Sequence, residues 1–199
     1  MNRYKEKEVA NTKESNETAQ RAELHRKIWA IADNVRGAVD GWDFKQYILG
    51  ILFYRFISEN MTEFFNKAEH EAGDLKFNYA DISDEEAKED FRAGTVEDKG
   101  FFILPSQLFE NVVKTANEQD DLNVQLDNIF KEIEGSAIGH GSEEDIRGLF
   151  RDVDLTSDRL GETVQEKNTK LTNILVGISE LNFGNFEDNH IDAFGDAYE

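Results

Sequence analysis

The chain has 199 residues, including 15 Phe, five Tyr and two Trp, and this length and aromatic content exclude a wholly disordered protein. It has no cysteine, which excludes disulfides, thiolate metal sites and a cysteine nucleophile. The net charge is −20; residues 1–36 carry eight basic and six acidic side chains, a net of +2, whereas residues 37–199 carry 14 and 36, a net of −22. Because an acidic body repels phosphate at long range, this charge argues against unaided DNA binding.

The N-terminal part of the chain divides into a polar arm and a first helix. Residues 1–20 lack apolar periodicity, which predicts a flexible arm. Beyond Ala22, apolar residues recur at spacings of four, three and four, which predicts a helix that ends at Gly37. The residues of this stripe are Leu24, Ile28, Ile31 and Val35.

A second helix is predicted after Asp43, which can act as its N-cap with Gln46 completing a capping box. Apolar residues cover almost every direction around this helix, which indicates a core helix surrounded by others. They are Phe44, Tyr47, Ile48, Leu49, Ile51, Leu52, Phe53, Tyr54, Phe56 and Ile57. A third helix is predicted to follow it and to end near Gly73.

The rest of the chain predicts further helices, because amphipathic patterns alternate with capping residues and glycines. Helices are predicted from Ser83 to about Ala93, from Pro105 or Ser106, over residues 122–135, after Ser142 and from about Gly161. Residues 76–82 and 99–104 leave room for one small β-hairpin. The predicted fold is therefore all-α, with about seven or eight helices packed around a buried central helix.

No segment predicts a membrane span or a secretory signal. The most apolar stretch, residues 44–57, has 14 residues and includes Lys45, Gln46 and Arg55, which is the length of a buried helix. The first 20 residues contain no apolar run. These features predict a cytoplasmic protein without membrane contact.

Three features could be mistaken for chemical sites. The four histidines lie far apart and lack the i, i+4 spacing of a helical zinc site. Residues 152–158 (DVDLTSD) resemble the start of a calcium loop, but Ser157 and Thr163 stand where such a loop needs Gly and a bidentate Glu, which favours an ordinary turn. The glycine-rich residues 135–141 lack the Lys-Ser/Thr of a phosphate-binding loop. The residues therefore predict no catalytic site, no metal site and no cofactor site.

Basic and aromatic residues cluster around the first two predicted helices, at Arg36, Trp42, Lys45 and Arg55. In one interpretation Trp42 packs in the core and the charges keep the helix ends soluble. In the other, the four residues form a contact surface for a partner protein or a phosphate backbone, which Arg and Lys bind well.

Several long runs of residues resemble the modification subunit of type I restriction-modification systems. They are residues 28–37 (IWAIADNVRG), 42–50 (WDFKQYILG), 52–58 (LFYRFIS), 152–155 (DVDL) with Ser157, 159–161 (RLG) and 192–199 (DAFGDAYE). The resemblance covers nearly all of the chain after residue 22. It implies a helical N-terminal domain over residues 21–185, followed at residues 186–199 by the start of a connection to a catalytic domain.

The resemblance also implies a second, Rossmann-like domain, which in this family uses S-adenosylmethionine to methylate adenine at N6. The catalytic tetrapeptide of that domain contains two prolines, whereas this chain has only Pro105. The loop that binds the methyl donor would lie beyond Glu199. The resemblance therefore implies a chain that is not catalytic by itself and binds no cofactor.

The role implied for such a domain is assembly. It would pack beside the specificity subunit, in a complex that also holds the restriction subunit, and help to close the enzyme around double-stranded DNA. The main alternative is a free-standing acidic helical protein, a DNA mimic or an adaptor; a third is a small enzyme in its own right. A mimic should be complete, whereas the apolar pattern at Ile191, Phe194 and Tyr198 stops in mid-helix.

Overall fold

The computed structural model describes Arg26 and residues 41–181, with the side chains of residues 41–45 left out. Arg26 is helical. The predicted arm, the rest of the first predicted helix and the predicted connection at residues 186–199 lie outside the described residues. In the part that is described every regular element is helical and no strand is found, which confirms the all-α class.

Helix α1, Gly41–Ala72, is one continuous helix of 32 residues. The sequence predicted two helices in this region, with the first beginning after Asp43, and both predictions were wrong. The polar residues after Ile57 do not cap a new helix: Ser58 Oγ accepts a hydrogen bond from the Phe109 amide at 3.2 Å, and Asn60 Nδ2 donates to the Phe56 carbonyl one turn back. The helix ends as predicted near Gly73, whose φ of +110° is readily adopted only by glycine.

Helix α2 spans residues 84–99 and contains a π-helical segment. Its parts are Asp84–Glu86, the π-helical Ala87–Phe91 and Arg92–Lys99. The Ser83 hydroxyl accepts a hydrogen bond from the Glu86 amide, which confirms Ser83 as the N-cap. The helix continues beyond the end predicted near Ala93 and stops at Gly100, which has a φ of +86°.

The predicted β-hairpin is absent from the described residues. Residues 79–81 form a 3₁₀ turn, Tyr79–Asp81, and residues 101–104 have no regular structure. The backbone of the second segment is satisfied by side chains, since the Ile103 carbonyl accepts from the Tyr79 hydroxyl at 2.7 Å and the Phe102 amide donates to Ser136 Oγ at 2.9 Å. No partner strand is needed to satisfy these groups.

Four further helices complete the described part. They are α3 (Phe109–Thr115), α4 (Leu122–Ser136), α5 (Glu143–Ile146) and α6 (Val164–Ser179). Short 3₁₀ turns, Pro105–Gln107 and Ala116–Glu118, flank α3. The described residues contain six helices, slightly fewer than the seven or eight predicted for the chain, because α1 replaces two of them and the first predicted helix lies almost wholly outside the described residues.

Helix α1 lies at the centre of this bundle, as its sequence predicts. It packs against α3 and α6, and α4 packs against α6. Its residues Tyr47, Ile48, Ile51, Leu52, Tyr54 and Ile57 are all buried. The Tyr54 ring meets Phe109 and Phe130 edge-on, and its hydroxyl donates to the Gln107 carbonyl, so α1 is joined to the elements around it by both apolar and polar contacts.

Residues 35–179 form one compact unit, and the site described below belongs to it. The boundaries predicted at residues 20 and 185 stay predictions. Among the helices of the described residues, none combines the length and the apolar content needed to cross a membrane.

Candidate functional site

The structure places only one of the four predicted contact side chains. Arg36 lies outside the described residues, and Trp42 and Lys45 lie in the first turns of α1, where side chains are not described. The Arg55 side chain is 11% exposed and makes intrachain contacts. Its Nε donates to Glu59 Oε1 at 2.6 Å and its Nη1 to the Ile178 carbonyl at 2.5 Å. Arg55 thereby joins α1 to α6, and a contact role for the four residues stays a prediction.

A groove of about 680 Å³ lies between the C-terminal half of α1 and the start of α3. One side is formed by residues of α1 that recur every three or four positions, and the other by two residues at the start of α3. The lining residues are Ser58, Glu59, Thr62, Glu63, Asn66, Lys67, His70, Glu71, Leu108 and Glu110. Sequence analysis did not single out this groove, because its carboxylates are indistinguishable there from the other acids among 42.

Some of the polar groove residues are used by the fold. Ser58 accepts the Phe109 amide, Asn66 Oδ1 accepts the Tyr79 amide at 2.8 Å, and His70 Nε2 lies 3.0 Å from the Phe77 carbonyl oxygen. These contacts hold the segments that follow α1 against it. Two of the groove carboxylates are also paired, Glu59 with Arg55 and Glu110 with Lys114.

Glu59 has the most perturbed environment in the groove. Burial raises the pKa of its carboxyl, and the charge of Glu110 raises the pKa further, while the hydrogen bond and charge of Arg55 lower it. Arg55 contacts only Oε1, and within the described part of the chain Oε2 is buried with no hydrogen-bond partner. A buried acceptor without a donor is costly, and the ion pair with Arg55 offsets part of that cost.

Residues 152–158, which resemble the start of a calcium loop, are held in place by Lys167. Asp154 Oδ1 accepts from the Thr156 amide and hydroxyl, which makes the turn that the sequence favours. The Lys167 ammonium, on α6, donates to the Thr156 carbonyl at 2.6 Å and to Asp158 Oδ1 at 2.9 Å. Among residues 41–181 and Arg26 no group of three His, Asp or Glu side chains is placed to hold a metal ion.

Comparisons with known proteins identify the family to which this chain belongs. The model of a family described as "HsdM N-terminal domain" matches residues 24–178. The chain belongs to this family. It is 45% identical over 192 residues to the type I restriction enzyme MpnII methylase subunit of Mycoplasma pneumoniae, covering 94% of this chain and 35% of that protein.

A solved structure supports the same family and the fold. The crystal structure of the type I restriction-modification system methyltransferase subunit from Streptococcus thermophilus matches with a TM-score of 0.68 and 28% identity. The match covers 89% of this chain and 37% of that one. The chain therefore spans about a third of the length of the relatives it matches, and the resemblance identified from the sequence is confirmed.

In this member of the HsdM N-terminal domain family, two of the runs that carry the resemblance contact each other. The Tyr47 hydroxyl in α1 donates to the Asp154 carbonyl at 2.7 Å. One turn further along α1, a Cβ added at Gly50 would lie 2.3 Å from Val153 Cγ2. The glycine is therefore required by close packing of the 152–155 segment on α1, a role that its position inside an apolar helix could have signalled.

Proposed function

We propose that this chain is the assembly and DNA-clamping domain of a type I restriction-modification methyltransferase subunit. In this proposal it contacts the specificity subunit and DNA and does not transfer methyl groups by itself. The observation that carries the proposal is the family match over residues 24–178, together with relatives named as methylase and methyltransferase subunits of which the chain spans about a third. A domain that makes up a third of a longer enzyme can serve to hold subunits and DNA together while another domain carries out the reaction.

The chemistry belongs, in this proposal, to the parent subunit. That subunit would methylate adenine at N6 with S-adenosylmethionine, within a cytoplasmic complex that also contains the restriction subunit. The groove on α1 and α3 does not fit the methyl donor, because Leu108 is its only apolar lining residue and no aromatic side chain lines it to hold an adenine ring. We therefore assign no cofactor to this groove.

The proposed DNA contact is limited to the basic and aromatic residues that open α1 and precede it. Methylating a base requires that it be taken out of the duplex, so a domain that holds the DNA is useful to the reaction. The net charge of −20 restricts direct phosphate contact to a small surface, and Arg36, Trp42 and Lys45 supply one. The partner subunits would supply most of the phosphate neutralisation.

The test uses the full-length parent subunit in complex with its specificity subunit. We expect the double variant Arg36→Ala/Lys45→Ala to weaken DNA binding by about tenfold and to reduce the slope of log affinity against log salt by about 2, because two phosphate contacts are lost. The control is Lys131→Ala/Arg147→Ala, which removes the same charge at side chains that are 71% and 70% exposed.

Two outcomes would contradict the proposal. If the double variant leaves DNA affinity and subunit assembly unchanged, the contact assignment is wrong. If a parent subunit that lacks this whole domain still assembles with the specificity subunit and binds DNA like the intact protein, the assembly and clamping role is wrong as well.

The acidic charge supports one second candidate function, a DNA mimic or adaptor that occupies basic DNA-binding proteins. The isolated chain would then compete with duplex DNA for such a protein. Competition assays in which the chain displaces DNA from the specificity subunit distinguish the two, because a clamping domain should increase the DNA affinity of the complex.

A further inference from the structure

Helix α6 ends without the kind of cap that ends α1 and α2. Those two helices stop at glycines with a positive φ, Gly73 at +110° and Gly100 at +86°. Helix α6 is followed by Glu180 and Leu181, and no non-glycine residue in the described part of the chain has a positive φ. Its last turn contains no basic residue, so the carbonyl groups there need donors from water or from elsewhere in the fold.

Two side chains donate to the last turn of α6. The Ser179 hydroxyl donates to the Val176 carbonyl at 2.7 Å, within the helix itself. Arg55 Nη1 reaches across from α1 and donates to the Ile178 carbonyl at 2.5 Å. The guanidinium therefore places a positive charge at the negative end of the α6 dipole, where Glu180 would otherwise be unfavourable.

The Arg55 guanidinium is held in place for this contact. Its Nε donates to Glu59 Oε1 at 2.6 Å, one turn further along α1, and its central carbon lies 5.9 Å from the centre of the Phe109 ring in α3. Because a guanidinium is planar and its donors are fixed relative to one another, binding Glu59 through Nε sets the direction in which Nη1 points. Arg55 thereby holds α1, α3 and the end of α6 together.

The contact lies at the boundary of the compact unit formed by residues 35–179, because Ile178 is the last residue but one of that unit. We propose that Arg55 is a positioning residue, which caps α6 and so fixes the place where the chain leaves this unit. The inference rests on the proposed function, in which the chain beyond residue 185 leads to the catalytic domain and α1 carries the DNA contact. Misplacing reacting groups by about 1 Å can slow a reaction about a hundredfold, so a frayed turn at this point would slow methyl transfer.

A direct contact between Arg55 and DNA suits these observations less well. The side chain is only 11% exposed, and two of its nitrogen atoms already donate within the fold. Turning the guanidinium outward to a phosphate would leave Glu59 without its ion pair and the Ile178 carbonyl without its charged donor. A role inside the fold is therefore favoured over a role at the surface.

The experiment compares two variants of the full-length parent subunit in complex with its specificity subunit. Glu59→Gln keeps an oxygen that can accept from Arg55 Nε and keeps the cap, whereas Arg55→Met/Glu59→Gln removes the cap without leaving an unpaired buried carboxylate. Relative to Glu59→Gln, we expect the double variant to speed amide hydrogen exchange in the last turn of α6 about tenfold and in α4 less than twofold. For methylation of duplex DNA, kcat should fall about fivefold while KM for DNA changes less than twofold.

The matched control is Arg147→Met/Glu143→Gln, which removes an Arg–Glu pair of the same i, i+4 spacing at α5, away from α1 and α6. It should change kcat and the exchange of the last turn of α6 by less than twofold. Equal effects of this control and of the Arg55 variant would contradict the inference, because any lost ion pair would then have the same result.

The remaining outcomes also overturn the inference. Unchanged exchange at the end of α6 shows that Arg55 is not its cap, and equally faster exchange in α4 shows general destabilisation. A frayed last turn with unchanged kcat shows a cap that positions nothing, and a raised KM for DNA with unchanged kcat indicates a DNA contact. If the unmodified complex transfers no methyl group, the proposed function itself fails, whereas hydrogen exchange still measures the cap.

Discussion

Polar residues in the interior of this protein are matched to particular backbone groups. Ser136 Oγ donates to the Ile133 carbonyl and accepts the Phe102 amide, and the Asn168 side chain accepts the Asn123 amide while donating to the Asp120 carbonyl. Each of these side chains holds an irregular segment against a helix, where backbone groups would otherwise be buried without partners. Within the described residues three buried side-chain oxygens depart from this pattern, namely Glu59 Oε2, Asn123 Oδ1 and Gln125 Oε1.

The contact between Gly50 and Val153 yields a prediction at a single residue. Replacing Gly50 by Ala places a Cβ 2.3 Å from Val153 Cγ2, so the 152–155 segment must move away from α1. We expect Gly50→Ala to lower the free energy of unfolding by about 1–3 kcal/mol, as overpacking does. Urea unfolding followed by circular dichroism measures this.

The matched control for Gly50 is Gly135, which also lies in a helix and has no atom within 4 Å of an added Cβ. Gly135→Ala should stabilise the protein by about 0.5–1 kcal/mol, since alanine loses less conformational freedom on folding. If both variants change stability in the same direction, the close contact at Gly50 does not have the role given to it.

Residue-level contacts were also the hardest to predict from the sequence. The sequence places Arg55 in a cluster with Arg36, Trp42 and Lys45. In the structure it binds Glu59, one turn away, and the Ile178 carbonyl, 123 positions away. A carbonyl acceptor that distant in the sequence leaves no local pattern. Lys167 likewise occupies the turn at 152–158, a pairing that only the folded chain brings about.

At the scale of the elements, α6 begins with a capping box that sequence analysis missed. The Thr163 hydroxyl accepts from the Glu166 amide at 3.2 Å, and the Glu166 carboxylate accepts from the Thr163 amide at 3.2 Å. The pattern Thr-x-x-Glu at residues 163–166 is the sequence signal for this start, two residues after the start predicted near Gly161.

This capping box leads to a prediction for helix stability. Thr163→Ala removes the acceptor for the first turn of α6 and should lower the free energy of unfolding by about 1 kcal/mol. Thr169→Ala is the control, because Thr169 is exposed in the middle of the same helix and should change stability by less than about 0.5 kcal/mol. Thermal unfolding of both variants measures the difference, and equal losses would show that the cap contributes nothing.

The elements that the sequence predicts well are those with strong apolar periodicity. Helix α4 spans Leu122–Ser136 where a helix ending near Gly135 was expected, and the central helix is buried as its all-round apolar pattern indicates. The failures lie where tertiary contacts override a local signal. Ser58 lies inside the continuous helix α1 and accepts the Phe109 amide, and residues 101–104, which left room for a strand, take side-chain hydrogen bonds.

For the whole molecule, two buried tyrosines make stability depend on pH in alkali. Burial raises the pKa of Tyr54 far above its ordinary value near 10, and burial with the charge of Asp84 does the same for Tyr79. Above about pH 10 the unfolded chain loses these protons while the folded protein keeps them, so the free energy of unfolding falls as pH rises. The contribution is roughly 1.4 kcal/mol per pH unit for each tyrosine.

Urea unfolding between pH 9 and 11.5 tests this dependence. Tyr54→Phe should be less stable at pH 8, because the Gln107 carbonyl loses its donor, yet its stability should fall with pH by roughly 1.4 kcal/mol less per unit. A Tyr54→Phe protein with the same alkaline slope as the unmodified chain would show that Tyr54 ionises normally in the folded state.

The family and the fold class were within reach of the sequence, whereas the groove was not. Long ordered runs such as residues 42–50 and 152–155 are specific enough to identify a family, and the structure shows that they meet at Tyr47 and Asp154. The groove depends on which of many glutamates the start of α3 approaches, and that is decided by chain geometry rather than by any local pattern.

The length of α1 has a mechanical consequence for an assembled enzyme. Thirty-two residues at 1.5 Å each make a rod of roughly 48 Å, and its first turns and its groove end lie on the same uninterrupted backbone. Trp42 and Glu63 lie on this one rod, about 30 Å apart along its axis. A small tilt of the rod at one end would therefore displace the other end, so the DNA contact proposed for the first turns of α1 and the groove at its far end would move together.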